Sequence, residues 1–159
     1  MARIVKISNN FALTKNIKIY TKVKNVDLII GDDSLFTKSE NQYIIDKFDH
    51  EIYLVITNEK HNVLFSGCSH KGIENIVTEI QKQESRVITH VLGGFHMSHF
   101  KPTDTEQVKY IKDLGDKLYH QETEVYYSCH CTGDNAFEAL KPQMKEKLKR
   151  IKTGSVVEL

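Results

Sequence analysis

With 159 residues, 40% of them apolar and only two prolines, the chain is long enough for one domain with its own core, which excludes a disordered or linker-type protein. Lysine plus arginine number 22 against 21 aspartate plus glutamate, a net charge of +1, so bulk charge asks for neither nucleic acid nor an anionic membrane. No apolar run approaches the roughly 20 residues of a membrane-spanning helix; the opening MARIVKISNNF lacks a secretory apolar stretch and three cysteines make no disulfide framework, so the expected setting is the cytoplasm.

Up to about residue 50 the pattern is short and β-like. Ile17-Lys18-Ile19-Tyr20-Thr21 alternates, Asp27 to Ile30 is a brief apolar run and Gly31-Asp32-Asp33-Ser34 reads as a turn. Lys38 to His50, polar apart from Tyr43 to Ile45, reads as an excursion between strands. Ile52 to Thr57 and Val63 to Ser66, joined by Asn58, Glu59, Lys60, His61 and Asn62, predict an antiparallel hairpin. Ile73, Ile76, Val77 and Ile80 then fall on one stripe of a helix. Arg86 to Leu92 reads as a strand stopped by Gly93-Gly94. A second helix is predicted from Thr103-Asp104-Thr105-Glu106, where threonine and a glutamate three residues on have capping-box spacing, with Val108, Ile111, Leu114 and Leu118 inward. Glu124 to Ser128 is a further strand, and a third helix from Asp134 carries Phe137, Leu140, Met144 and Leu148 on one side, with Pro142 expected to kink or restart it. Ser155 to Leu159 closes the chain as a predicted short strand. The alternation of strand and helix predicts an α/β layer, a mixed sheet covered by three helices.

A histidine stands just past the strand in each of these three units: His70, His96 and His130. Open α/β sheets place their sites at the carboxyl ends of strands, where loops from neighbouring strands converge, so the three are expected to meet. Neutral imidazole is the commonest ligand of zinc and similar ions, and a metal site is the natural reading; a single loop histidine, taken alone, is more often an ordinary hydrogen-bonding residue. His50, His61, His90, His99 and His120 take that ordinary reading. Cys129 and Cys131 flank His130, but a structural thiolate site uses paired cysteines and two more ligands; only Cys68 is left to join, so this reading ranks below the histidine one. Thr132 or Asp134 suits a helix cap, and the backbone N–H groups near Gly133 suit either simple capping or an anion such as a substrate phosphate.

The segments Gly67-Cys68-Ser69-His70-Lys71-Gly72-Ile73, Gly93-Gly94-Phe95-His96 and Cys129-His130-Cys131-Thr132-Gly133 together resemble one branch of the metallo-β-lactamase-fold superfamily of metal-dependent hydrolases. That branch contains the 7,8-dihydropterin-6-methyl-4-(β-D-ribofuranosyl)aminobenzene 5′-phosphate synthases. The resemblance extends weakly upstream through Leu35-Phe36 and Phe48 to Ile56 and runs to Val156-Val157-Glu158-Leu159. It implies an αββα sandwich of two similar halves with one or two metal ions, usually zinc, at the sheet edge, and it aligns these 159 residues as one partial domain, the C-terminal half. By the same resemblance His70 and His130 are metal ligands, and His96, where relatives carry an aspartate, is a ligand, a catalytic proton-transfer group or a substrate contact; Thr132 and Gly133, from the loop reading above, are the candidate substrate side. The superfamily's His-x-His-x-Asp-His motif, which supplies most ligands, does not occur in the sequence. The chain is therefore expected to hold zinc or another divalent metal weakly or not at all by itself, and to be a truncated or split hydrolase that is inactive alone. The competing expectations are a non-catalytic binding or scaffold module keeping the pocket for a phosphorylated or pterin-like small molecule, and a self-associating remnant. Its expected partners are a complementary N-terminal half or a second copy.

Overall fold

A computed structural model describes residues 4, 6–24 and 35–159; the apolar run Asp27 to Ile30 and the turn Gly31 to Ser34 lie outside them. In chain order the described strands are β1 (Phe11–Thr14), β2 (Ile17–Tyr20), β3 (Phe36–Ser39), β4 (Gln42–Ile45), β5 (Tyr53–Thr57), β6 (Asn62–Phe65), β7 (His90–Gly93), β8 (Val125–Ser128) and β9 (Leu148–Arg150). The helices are α1 (Ile73–Gln81), α2 (Thr105–His120) and α3 (Asp134–Met144). Seven strands form one sheet in the order β1-β2-β5-β6-β7-β8-β9, antiparallel as far as β6 and parallel from β6 to β9. Each parallel step needs a crossover, and α1, α2 and α3 supply the three in turn. The predicted mixed sheet with three helices is thus the observed architecture.

Register shows which side of the sheet is the core. Val55, Leu64, Val91, Tyr126 and Leu148 lie opposite one another across five strands and are fully buried. They join one core with Ile73, Ile76, Val77 and Ile80 of α1, Ile111, Leu114 and Leu118 of α2, and Phe137, Leu140 and Met144 of α3. At roughly 1.5–3 kcal/mol for each large apolar side chain removed from water, this layer dominates the fold. The alternate row, Ile19, Leu54, Phe65, Leu92 and Tyr127, faces the other side; the first four of these remain partly open to solvent.

Several expectations are corrected. The excursion at Lys38 to His50 has structure of its own: β3 and β4, starting at Phe36, pair antiparallel as a separate, mostly exposed hairpin. The Arg86 to Leu92 run joins the ladder only from His90. The cap of α2 is Asp104, whose carboxylate accepts from the backbone N–H of Glu106 and Gln107, so Thr103 lies outside the helix. Val108 is exposed, and Gly115 takes the inward place beside Leu114, its missing side chain letting α3 approach at Gln143. Pro142 sits inside α3 without ending it; the helix stops two residues later, and left-handed Lys145 turns the chain into a short 3₁₀ turn and β9. Leu148 is consequently a strand residue, and Ser155 to Leu159 forms no strand. Among the described residues no helix is long and apolar enough to cross a membrane.

Candidate metal centre

The carboxyl ends of the parallel strands β6, β7 and β8 carry three loops, running from Ser66, Gly94 and Cys129, and the backbone stitches them together. Gly94 N–H donates to Gly67 O at 2.8 Å, Met97 N–H to Cys131 O at 2.8 Å and Cys129 N–H to Gly93 O at 3.2 Å. Glycine makes this approach possible. A Cβ at Gly93 would lie 2.6 Å from Ser66 O, and one at Gly94 would lie 2.5 Å from Cys131 Sγ. Each loop also contains a non-glycine residue in the left-handed region: Ser69 at φ 61°, His96 at φ 50° and His130 at φ 50°. Such residues cost of order 1–3 kcal/mol each and gather at functional sites, where surrounding structure over-determines them.

His70 and His96 meet, with ring centroids 4.0 Å apart, and the His99 ring centroid lies 5.8 Å from that of His96. Phe48 stacks on His70 at 4.1 Å with an interplanar angle of 8°, an apolar wall that orients the imidazole. The loop bearing His70 is held from below by Glu51, whose carboxylate accepts from His70 N–H at 2.9 Å and from Lys71 N–H at 3.3 Å. Tyr53 donates to the same carboxylate at 2.5 Å. Burial, reinforced by that neighbouring charge, pushes the Tyr53 phenol far above its ordinary range and keeps it a donor.

His130 makes its contact elsewhere in the same loop cluster. Its Nδ1 is 3.6 Å from Cys68 Sγ, and the donor atoms of Cys68, His130 and Cys131 all lie within 4.8 Å of one another. Sequence alone ranks these cysteines low because only Cys68 is left to join them in a structural thiolate set; the bond from Cys131 Sγ to Cys68 O, at 3.5 Å across 63 positions, shows that the fold does bring it there. Burial pushes the Cys131 thiol up to about 12 and raises that of Cys129. Imidazoles and thiols converging at the carboxyl ends of three parallel strands are a donor set suited to zinc and similar ions. His99, given an ordinary reading from sequence, also belongs to this neighbourhood. His61 and His90 contact each other edge-on instead, with His90 stacked toward Tyr127.

Thr132 is turned inward. Its hydroxyl oxygen accepts from Phe95 N–H at 3.0 Å and from Ser128 Oγ at 2.7 Å, and the residue is 2% exposed. That hydroxyl serves the packing of the loops. Gly133 has φ 73°, and a Cβ there would lie 2.8 Å from Ser98 Cα. Asp134, expected as a possible cap, instead pairs with Arg150 as the first residue of α3.

No protein-family model matches the chain. In an alignment 128 residues long that covers 77% of the chain, it is 30% identical to the 7,8-dihydropterin-6-methyl-4-(β-D-ribofuranosyl)-aminobenzene-5′-phosphate synthase of Methanocaldococcus jannaschii. It superposes with a TM-score of 0.74 and 25% identity on the crystal structure of a metal-dependent hydrolase of the β-lactamase superfamily, covering 97% of this chain. The chain spans 40% of the length of the synthase and 57% of that of the hydrolase.

Proposed function

Because the chain belongs to the metallo-β-lactamase-fold superfamily of metal-dependent hydrolases, we propose that its three strand-end loops are one side of a hydrolytic metal centre whose other side comes from residues outside these 159. The observation that carries this reading is the 4.0 Å approach of His70 and His96 at the ends of adjacent parallel strands, beside a third loop that presents His130. In this reading His70 and His130 hold the metal, and His96 holds or passes a proton at an imidazole nitrogen. The backbone at Gly133 takes the polar end of a small-molecule substrate. A bound zinc or similar ion would supply a Lewis acid and lower the pKa of its water. Glu51 and Phe48 fix the His70 loop, and the close contacts at Gly93 and Gly94 hold the loops together.

The ligand arithmetic sets the condition on activity. A catalytic zinc takes about three protein ligands and a water, and two histidines fall short. The missing His-x-His-x-Asp-His motif has to reach the site from the same or another polypeptide. Expected outcomes follow for phosphodiesterase, lactonase and thioesterase assays with added zinc or manganese. The isolated chain gives no hydrolysis, co-expression with the first half of a full-length relative restores it, and His70→Ala or His130→Ala abolishes the gain. Robust hydrolysis by the lone chain, lost in His130→Ala, would overturn the shared-centre reading. Failure of every first half to confer activity, with small-molecule binding retained, would favour a binding or scaffold module.

A further inference from the structure

We infer that Cys68, His130 and Cys131 form a thiolate–imidazole site for a thiophilic divalent ion, complete in three protein ligands within this chain. The proposal shares His130 with the hydrolase reading and otherwise stands apart from it, since it needs no residue from outside the 159.

Three observations support it. A tetrahedral zinc with sulfur at about 2.3 Å and imidazole nitrogen at about 2.0–2.1 Å spaces those two ligands about 3.6 Å apart; Cys68 Sγ and His130 Nδ1 are separated by 3.6 Å. The third donor, Cys131 Sγ, is within 4.8 Å of both, so small side-chain rotations close the set without moving the backbone. That sulfur already faces the cluster: it lies 3.5 Å from Cys68 O and over Gly94, where a Cβ would lie 2.5 Å away. Two cysteines and one histidine leave a fourth position for water or a ligand, the coordination of an open zinc site. Soft sulfur donors select zinc, cadmium or cobalt over magnesium, calcium or manganese. On binding, each thiol gives its proton to solvent and its sulfur lone pair to the ion, so two protons leave per metal.

Cys129 provides the internal control, because it lies between the site residues in sequence yet outside the donor cluster. The test uses the untagged, reduced, full chain titrated with Co²⁺ and with Zn²⁺. The expected result is an intense thiolate-to-cobalt charge-transfer absorption at one equivalent, and protection of Cys68 and Cys131 from alkylation by Zn²⁺ while Cys129 reacts as before. Cys68→Ser or Cys131→Ser removes much of that absorption and weakens cobalt binding by on the order of tenfold or more, one of three protein ligands being lost. His120→Ala, at the far end of α2 where its Nδ1 meets Asp116 O, leaves it unchanged. Because a serine variant could disturb folding, circular dichroism of each variant accompanies the titration, and the alkylation result on the unaltered chain stands by itself. Cobalt bound without the sulfur absorption, or equal alkylation of all three cysteines with Zn²⁺ present, would overturn the thiolate site; His130-dependent hydrolysis in the complemented protein would then still uphold the hydrolase reading. The sulfur absorption without any complemented hydrolysis would uphold the thiolate site and remove the hydrolase reading instead.

Discussion

At the scale of the residue, the site is built by positions where the backbone does something side-chain chemistry alone would not suggest. Gly94 is the sharpest case, because its α-carbon faces Cys131 Sγ and the Cys129 carbonyl with no room for a methyl group. Gly94→Ala is expected to cost about 1–3 kcal/mol, the usual penalty of overpacking, read as a lower denaturant midpoint together with loss of cobalt binding. Little change in either would show that the loops yield. His90 gives a second residue-level prediction. Burial first, and then the neighbouring His61, hold its pKa below the ordinary value; Lys149 adds to this and Glu124 opposes it. With the folded pKa depressed, the unfolded chain binds the proton first, so this contribution is absent above about 6.5 and destabilises as pH falls below it. Urea midpoints should therefore drop on acidification, and His90→Gln should flatten the slope; an unchanged slope would assign the acid sensitivity to another group. The placing of His70, His96 and His130 just past strands was legible in the sequence because those strands read as short apolar runs, the one before His96 stopped by Gly93-Gly94. Cys68 was not, since its nearness to Cys131 is a matter of three-dimensional packing across 63 positions, and neither were the left-handed turns at His96 and His130.

At the scale of the element, sequence periodicity located the three helices well and their ends less well. The α1 stripe of Ile73, Ile76, Val77 and Ile80 is buried as expected, because four large aliphatics on one face have only one way to leave water. Helix α2 shows the limit. Two oxygen-bearing residues, Thr103 and Asp104, stand at its start, and either could cap; spacing to Glu106 favoured Thr103, whereas the carboxylate of Asp104 takes both free N–H groups and is braced by Gln107 at 3.1 Å. Asp104→Ala should thus cost about 0.5–2 kcal/mol. Thr103→Ala should stay within about 0.5 kcal/mol, as for a surface change away from such features. Thermal melts of the two variants decide between the caps, and equal losses would contradict the assignment. Val108 was placed inward because it continued the apolar spacing, but the tight α2–α3 crossing centres on Gly115, further along the helix.

At the scale of the whole molecule, the sheet has one face sealed and one face open. Helices cover the row from Val55 to Leu148, whereas Ile19, Leu54, Phe65 and Leu92 form an apolar row on the opposite side that stays partly accessible. The chain superposes on 57% of a hydrolase of the β-lactamase superfamily, and in a two-sheet sandwich the inner faces pack together about 10 Å apart. We propose the open row as the face such a second sheet would cover, because a row of partly exposed apolar side chains suits a partner surface. The expectation is that the isolated chain associates with itself as concentration rises, and that the first half of a full-length relative competes with this self-association. Phe65→Lys tests it at the centre of the row, where a charge disrupts an apolar interface but can reach water in a free monomer. Sedimentation over a range of concentrations should show the variant monomeric and unable to take up the first half, with its helical signal unchanged. An unaltered chain that stays monomeric throughout and ignores the first half would mean that this face needs no cover, and the proposed metal centre would then have to be completed from the loop side alone.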